Sequence, residues 1–191
     1  MQQSNFDNLS DQWWKNDGPV KLLHSMNTTR MLFIQERLLN RYKTLKTIEE
    51  VFLKKNILDL GCGGGILAES LAKKRANVTA IDKSKSLIDV AKKRAVNKNL
   101  KINYKVGGIE NLKNKNTKFD IIISLEVIEH VSDYETFLQD IFSCLKKNGI
   151  VIISTINRNF FSYFSTIFIA EKILRIVPQG THDWDKYIKP S

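Results

Sequence analysis

The stretch NILDLGCGGGILAES, residues 56–70, constrains the fold more than any other part of the chain. A short apolar run is followed at once by four glycines within positions 61–65, and then by a helical pattern. Glycine accepts left-handed backbone and lets another group approach the main chain closely. A strand, a glycine turn and a helix in this order form the ligand-binding corner of many α/β folds. The sequence therefore predicts a ligand site where the first strand ends.

Short β-branched runs alternate with helical patterns from residue 56 onward, which is the rhythm of a parallel sheet covered by helices on both faces. The predicted strands are 56–60, 77–82, 101–106, 119–125 and 149–156, and the predicted helices between them are 66–74, 86–96 and 134–147. A fold of this kind binds its ligand at the carboxyl ends of the strands.

A further helix is predicted before the sheet, over residues 27–45, because apolar residues recur there three or four positions apart. They are Met31, Ile34, Leu38, Tyr42 and Leu45. With 191 residues and no repeat or linker, the chain is predicted to form one domain. Its parts are an N-terminal helical cap (1–50), the core (51–156), and an amphipathic helix with a loop (157–191).

The charge and the cysteine content indicate which partners and which cellular compartment to expect. The formal net charge is +10, but the lysines are scattered, so we expect no nucleic-acid role, whereas attraction to an anionic membrane surface fits the charge. Cys62 and Cys144 occur in unlike contexts, which predicts free thiols in a reducing compartment. The sequence shows no secretory signal and no apolar run of the roughly 18 residues that a membrane span needs, which predicts a cytoplasmic protein.

The glycine pattern helps to choose among three ligands: dinucleotides, nucleotide phosphates and S-adenosylmethionine (SAM). A dinucleotide loop has its third glycine at the sixth position, where this chain has Ile66. A phosphate loop has Lys and Ser or Thr after its glycines, and GGGILA contains neither. The pattern present is acid-x-G-x-G-x-G, formed by Asp59, Gly61, Gly63 and Gly65.

An acidic residue at the end of the second predicted strand completes the nucleoside signature. Asp82 stands there, and a carboxylate at this place accepts hydrogen bonds from both hydroxyls of an adenosine ribose. The loop, the acid and the strand spacing together favour a ligand with an unphosphorylated ribose. A purely structural glycine turn with a capping aspartate is the alternative interpretation.

Five segments resemble the SAM-binding motifs of class I methyltransferases, which have a Rossmann-like α/β fold. They are ILDLGCGGG, AID at the end of strand two, GGIENL after strand three, FDIIIS, and LKKNGIVIIST. The resemblance implies that Gly61 and its neighbours line the methionine and ribose part of the cofactor and that Asp82 holds the ribose. It also implies that the backbone of Gly108 and Ile109 flanks the adenine and that Leu125 faces the cofactor.

Three further segments resemble the ubiquinone-biosynthesis O-methyltransferases, which methylate polyprenyl catechols and demethylubiquinol. They are WWKNDGPVKLLHSMNTTR (13–30), EVIEHV (126–131) and the stretch 155–191. By this resemblance Arg30 contacts the cofactor, and a guanidinium suits the cofactor's carboxylate. The family continues past the residue matching Ser191 into a helix and two strands of a seven-stranded sheet. We therefore expect a C-terminally shortened member with a parallel sheet of five strands.

The segment EVIEH carries the candidate chemistry. If it is helical, Glu126, Glu129 and His130 stand at i, i+3 and i+4 on one face. Such a set could hold Mg²⁺, which would lower the pKa of a bound catechol hydroxyl. Alternatively His130 is a direct general base, or the segment only shapes the pocket. The candidate catalytic residues are Glu129, His130 and also His182, which stands beside Asp183 in GTHDW.

The family resemblance implies a polyprenyl catechol or quinol substrate, whose tail lies in lipid. The Phe-rich segment 160–174 is therefore either an interfacial membrane helix or part of the core. A peripheral position on the inner face of the membrane and membership of a ubiquinone-biosynthesis complex follow from the same resemblance. The predicted function is SAM-dependent O-methylation of a phenolic hydroxyl; the alternative is a membrane-associated remnant that binds SAM without catalysis.

Overall fold

The computed structural model describes residues 10–155, apart from 16, 19, 43–46, 48 and 114–116. The helices are α1 (Lys21–Arg41), α2 (Ile66–Lys73), α3 (Lys85–Asn97), α4 (Glu110–Lys113) and α5 (Tyr134–Ser143). The strands are β1 (Asn56–Leu60), β2 (Asn77–Asp82), β3 (Ile102–Val106), β4 (Phe119–Leu125) and β5 (Leu145–Ser154). Short 3-10 turns cover Ser10–Gln12, Glu49–Val51 and Ile128–His130.

The described strands form one parallel sheet in the order β3-β2-β1-β4-β5. The strand β1 lies at the centre, where Ile57 pairs with Val78 of β2 on one side and with Ile121 of β4 on the other. The chain order reverses at β1, and open α/β sheets bind their ligands at the carboxyl ends of the strands beside such a reversal, here β1 and β4. The prediction of a five-stranded parallel sheet with flanking helices is confirmed.

Two apolar cores lie on opposite faces of the sheet because successive strand residues point to opposite sides. Ile57, Ile121 and Ile123 pack with α1, α2 and α3 on one face. Leu58 and Ile122 pack with α4 and α5 on the other. Both faces are covered, which explains why the strands read as nearly continuous apolar runs.

The predicted strands 56–60, 77–82 and 119–125 match the observed ones, but β5 begins earlier and α5 ends earlier than predicted. The main-chain N–H of Phe119 donates to the carbonyl of Cys144 at 2.9 Å, which ends the helix beside β4. A register irregularity between Phe119 and Ile121 then admits LKKNG into the strand. The Lys146 ammonium pairs with the Asp120 carboxylate at 3.0 Å, which fixes this start.

The helix α1 begins at Lys21 rather than at residue 27. Its predicted stripe of Met31, Ile34 and Leu38 is buried, whereas Leu22 and Met26 in its first turns are exposed. The first turns of α1 therefore lack the buried apolar residues, three or four positions apart, by which a helix is predicted from sequence. The last stripe residue, Leu45, lies outside the described residues, as does the whole segment 157–191.

A hydrogen bond from Asn27 Nδ2 to Ser70 Oγ, at 2.8 Å, ties the first half of α1 to α2. Cys62 and Cys144 are buried free thiols. Among the helices of the described ranges, none is both long enough and apolar enough to cross a membrane.

Candidate active site

The glycine loop, residues 61–65, adopts a left-handed conformation at alternate positions. Gly61, Gly63 and Gly65 have φ values of +78°, +52° and +88°. The main-chain N–H groups of Gly61 and Cys62 donate to the carbonyl of Ile81, at 2.8 and 3.1 Å, and anchor the loop to β2. These three glycines are the ones in the predicted acid-x-G-x-G-x-G pattern, and left-handed backbone strains other residues.

Side chains of the same chain lie against the bare backbone of the loop, so that an added Cβ would overlap or crowd them. They are Val127 at Gly61, Trp13 at Gly63 and Gly64, and Tyr104 at Gly65. Sequence reasoning expected only a ligand to need this space and missed these neighbours. The one available signal was the WW pair at the start of a segment that resembles the family.

Asp82 lies at the end of β2 beside the glycine loop, where the sequence places it. Its Oδ2 accepts from the main-chain N–H of Gly63 and its Oδ1 from that of Ser84, both at 2.8 Å. The Ser84 hydroxyl oxygen in turn caps α3 by accepting from the N–H of Leu87 at 3.2 Å. Two backbone donors therefore fix the direction of the Asp82 carboxylate before any ligand binds.

Asp59, at the end of β1, is 3% exposed. One carboxylate oxygen accepts from the main-chain N–H of Ala68, while Oδ2 has no hydrogen-bond partner among the described residues. Burial, reinforced by the nearby charge of Asp82, raises the pKa of Asp59 to about 7, and the charge of Arg30 opposes this rise. This edge of the sheet thus contains a buried carboxyl group whose pKa is close to neutrality.

Arg30 reaches the same edge of the sheet from α1. Its Nη2 lies 3.7 Å from Oε1 of Glu126, which also accepts from the hydroxyl of Ser154 at 2.6 Å. The second oxygen of Glu126, Oε2, is buried and has no partner within the described part of the chain. The resemblance assigns Arg30 to the cofactor. Arg30 therefore lies beside a carboxylate, that of Glu126, whose second oxygen can still accept a hydrogen bond.

The segment EVIEH is not α-helical. The strand β4 ends at Leu125, Glu126 is left-handed with φ +56°, and a single 3-10 turn follows. The Glu126 N–H donates to the carbonyl of Ser154 at 3.0 Å, which continues the pairing with β5 and prevents a helical start. The condition under which Glu126, Glu129 and His130 would share one helical face is therefore not met.

The three side chains of this segment differ in exposure: Glu126 is half-buried, Glu129 is 4% exposed and His130 is exposed. Among residues 10–155 that the structure describes, no three His, Cys, Asp or Glu side chains are grouped as a metal site requires. The Mg²⁺ set of Glu126, Glu129 and His130 gains no support from this arrangement and stays a prediction.

Glu129 is the buried carboxyl group nearest to the end of β4 along the chain. Its Oε2 accepts from the hydroxyl of Thr155 at 3.1 Å. Burial, and secondarily the charge of Glu126 and a hydrogen bond shared with its carboxyl group, raises the pKa of Glu129 to about 7, although a backbone hydrogen bond and the Thr155 hydroxyl oppose the rise. A carboxyl group with a pKa near the working pH is suited to accept a proton from a substrate.

The other predicted cofactor residues lie after β3 and at the end of β4. The Gly107 N–H donates to the carbonyl of Asp82 at 2.8 Å, and the Gly108 N–H to Oδ1 of Asn111 at 2.9 Å. The side chain of Ile109 is buried in the second core, which leaves a role beside the adenine to its backbone. Leu125 is half-buried. His182 and Asp183 lie outside the described residues.

The residues present fit SAM by the chemistry of their donors and acceptors. Arg30 offers a cation for a carboxylate, and Asp82 offers a fixed carboxylate for ribose hydroxyls. The unpartnered oxygens of Asp59 and Glu126 offer buried hydrogen-bond acceptors, which suit the ammonium group. All four groups lie at the carboxyl ends of β1, β2 and β4 or beside them on α1.

Comparison with known proteins supports the same interpretation. The family model of a methyltransferase domain matches residues 58–153. The ubiquinone biosynthesis O-methyltransferase of Pelagibacter ubique (strain HTCC1062) is 42% identical over 186 residues, which cover 97% of this chain and 77% of that protein.

Two solved structures illustrate the fold. An S-adenosylmethionine-dependent methyltransferase from Clostridium acetobutylicum ATCC 824 superposes with a TM-score of 0.59 at 24% identity, covering 72% of this chain and 52% of that one. Coclaurine N-methyltransferase, solved with N-methylheliamine and S-adenosylhomocysteine (SAH), superposes with a TM-score of 0.52 at 25% identity. The match covers 64% of this chain and 35% of that one.

Fold and site together define a class I methyltransferase that takes its methyl group from SAM. The sequence identity over nearly the whole chain narrows this class. The chain belongs to the ubiquinone biosynthesis O-methyltransferase family and is a SAM-dependent O-methyltransferase. The predicted family, fold class and cofactor are confirmed.

Proposed function

We propose that this enzyme methylates a phenolic hydroxyl of polyprenyl catechol and demethylubiquinol intermediates in ubiquinone biosynthesis. The name of the 42% identical relative supports the pathway. The observation that carries the chemistry is Glu129, a buried carboxyl group with a raised pKa near the edge that holds Arg30 and Asp82. Phenols titrate near pH 10, so a positioned proton acceptor is needed at neutral pH.

The chain's own groups divide the work of holding SAM. Arg30 would bind the carboxylate, Asp82 would bind the ribose hydroxyls, and the glycine loop would lie against the methionine part. The backbone of Gly108 and Ile109 and the side chain of Leu125 are proposed to flank the adenine and the cofactor. When bound, SAM supplies a methyl group on a positively charged sulfur. Fixing both partners lowers the entropic part of the barrier.

Two side chains are candidates for taking the phenol proton. Glu129 is enclosed, so its proton affinity is set by the protein, whereas His130 is exposed to water. We therefore place Glu129 as the acceptor and His130 as the second candidate. His182 stays a prediction, since it lies outside the described residues.

Turnover of a short-chain polyprenyl catechol, followed by chromatography, tests this assignment. We expect Glu129→Gln to lower kcat by about 10²-fold or more while leaving the Kd for S-adenosylhomocysteine (SAH) unchanged. Glu135→Gln, at an exposed position of α5, is the matched control and should keep wild-type turnover. Full activity of Glu129→Gln would refute the role of Glu129.

The same turnover assay tests the histidine base, the Mg²⁺ site and the non-catalytic remnant. If His130→Ala turns over normally with Mg²⁺ and with EDTA, the metal site and the histidine base are both excluded. A wild-type protein that binds SAH but converts no catechol under any of these conditions would instead be the non-catalytic SAM-binding remnant.

We also propose that the enzyme works on an anionic membrane surface, since a polyprenyl tail lies in lipid. Leu22, Met26 and Phe33 share one face of α1 and are 48%, 41% and 48% exposed. Arg37 lies over the Phe33 ring at 4.8 Å and adds a cation to this face. Apolar side chains with basic neighbours favour an interfacial position. The other candidate, segment 160–174, lies outside the described residues.

Co-sedimentation with vesicles tests this surface. We expect binding to vesicles that contain phosphatidylglycerol and much less to pure phosphatidylcholine. The triple change Leu22→Ser, Met26→Ser and Phe33→Ser should weaken it, and Val96→Ser, at a 77% exposed position on α3, should not. Changing Phe160, Phe164 and Phe168 to Asp tests the second segment, and no binding by any form would remove the proposal.

A further inference from the structure

The N-terminal strap, residues 10–15, lies directly on the glycine loop. The Trp13 ring is 5% exposed and packs on Gly63 and Gly64. A Cβ on Gly63 would stand 2.9 Å from Cζ2 of Trp13, and one on Gly64 would overlap the indole. The bare backbone at these two glycines therefore accommodates a tryptophan of the same chain.

Trp14 makes a polar contact with the same loop. Its Nε1–H donates to the carbonyl of Gly64 at 3.1 Å. The guanidinium of Arg94, on α3, stacks over the Trp14 ring at 4.1 Å, and Arg94 Nε donates to Oε2 of Glu69 on α2 at 3.0 Å. The ring is therefore fixed from behind while its N–H holds the loop.

A third contact joins the strap to the helix that carries Arg30. His24 Nε2 donates to the carbonyl of Trp13 at 2.8 Å, and the ring centroids of His24 and Trp14 are 5.0 Å apart. Trp13 also packs in a small apolar cluster with Val20 and Leu87. The strap thus connects α1, the glycine loop and α3.

A loop with three left-handed glycines loses much conformational entropy when it becomes ordered. If the loop had no other restraint, cofactor binding would have to supply this cost, and affinity would fall accordingly. We propose that Trp13 and Trp14 are positioning residues that hold Gly63–Gly65 in the cofactor-binding conformation before SAM binds. They set cofactor affinity and take no part in methyl transfer. This inference rests on the same cofactor site as the proposed function.

The variant Trp14→Phe tests the strap, because phenylalanine keeps an aromatic ring beside Arg94 but lacks the N–H donor. Calorimetric titration with SAH should give a Kd about tenfold higher than wild type, and KM for SAM should rise with kcat within about twofold. Hydrogen exchange of the cofactor-free protein should show faster exchange at Gly63–Gly65. Tyr134→Phe, at an exposed position of α5, is the matched control and should change none of these.

A merely structural role would lower the melting temperature of Trp14→Phe and leave both the Kd for SAH and the loop exchange unchanged, which would overturn the proposal. Arg94→Lys is the second variant, since it keeps a cation for Glu69 but loses the planar stack, and it should show a smaller shift in the same direction. If the wild-type protein itself failed to bind SAH, the assignment of the cofactor site would be wrong. Hydrogen exchange at Gly63–Gly65 in wild type and Trp14→Phe would still test whether the strap orders the loop.

Discussion

Two aspartates at the carboxyl edge of the sheet differ in how their oxygens are satisfied. Both oxygens of Asp82 accept main-chain N–H groups, whereas Asp59 leaves Oδ2 without a partner within the described ranges. Burial without a full set of hydrogen bonds raises the pKa of a carboxyl group. The two residues therefore predict two different experimental signatures.

Asp59 should make stability depend on pH in the direction opposite to an ordinary ion-paired acid. Its pKa is about 7 in the folded protein and near 4 when unfolded, so the folded state binds the extra proton between these values. Stability should therefore fall by about 1 kcal/mol per pH unit as pH rises from 5 to 7. Glu129, whose pKa is also about 7, contributes a slope of the same sign. Asp59→Asn should therefore remove about half of the total slope measured by urea unfolding of the cofactor-free protein, and an unchanged slope would contradict the prediction.

Asp82 should govern cofactor affinity. Asp82→Asn loses the charge and one of the two backbone hydrogen bonds, so the Kd for SAH should rise at least about tenfold. Calorimetric titration measures the change. Asp89→Asn on α3, where the carboxylate is exposed and pairs only with lysine side chains, should bind SAH like wild type.

Sequence reasoning located Asp59 and Asp82 because each stands at a fixed distance from the glycines at the end of an apolar strand. It could not locate Trp13 or Tyr104. Neither residue belongs to a local pattern, and each reaches the loop only through the packing of separate elements. The raised pKa of Asp59 was equally hidden, since burial is a property of the folded chain.

At the scale of elements, the turn from β1 into α2 depends on the close fit of Gly65. This residue has φ +88°, and an added Cβ would stand 3.1 Å from Cβ of Ala91 and overlap the Tyr104 hydroxyl. Gly65→Ala should therefore destabilise the fold by roughly 2–3 kcal/mol in urea unfolding.

A double-mutant cycle separates the two causes of this strain. Tyr104→Phe removes the hydroxyl, so Gly65→Ala should cost about 1 kcal/mol less in that background, while the strain of the positive φ remains. Equal costs in both backgrounds would show that the hydroxyl plays no part. Tyr104→Phe in the otherwise wild-type chain is the reference.

The elements that the sequence placed best are the strands β1, β2 and β4, since β-branched runs bounded by loops have few competing structures. Its errors fall where contacts between elements override local pattern. Residues 145–147 were predicted to be helical, but Leu145 pairs with Phe119 of β4. EVIEH, considered as a possible helix, is held in an extended start by the hydrogen bond from the Glu126 N–H to the carbonyl of Ser154. Both differences involve the pairing of β5 with β4. These strands are separated in the chain by the helix α5, so their pairing cannot be recognised from a local sequence pattern.

For the whole molecule, the cofactor should act as a stabilising ligand, because its contacts come from α1, β1, β2 and β4 together. At an SAH concentration of 100 times the Kd, the free energy of unfolding should rise by about 2.7 kcal/mol. For a chain of this size that corresponds to about 5–10 °C in the melting temperature. Scanning calorimetry checks it, adenosine alone should give a smaller shift, and Asp82→Asn should require more SAH for the same gain.

The strand order has a consequence for how the chain assembles during synthesis. The central strand β1 can pair with β2 soon after residues 77–82 emerge from the ribosome, but its other neighbour, β4, consists of residues 119–125. Until then one edge of β1 stays open, and Glu126 and Glu129 do not yet exist beside the glycine loop. The part of the cofactor site that β4 contributes is therefore among the last features of the sheet to be completed.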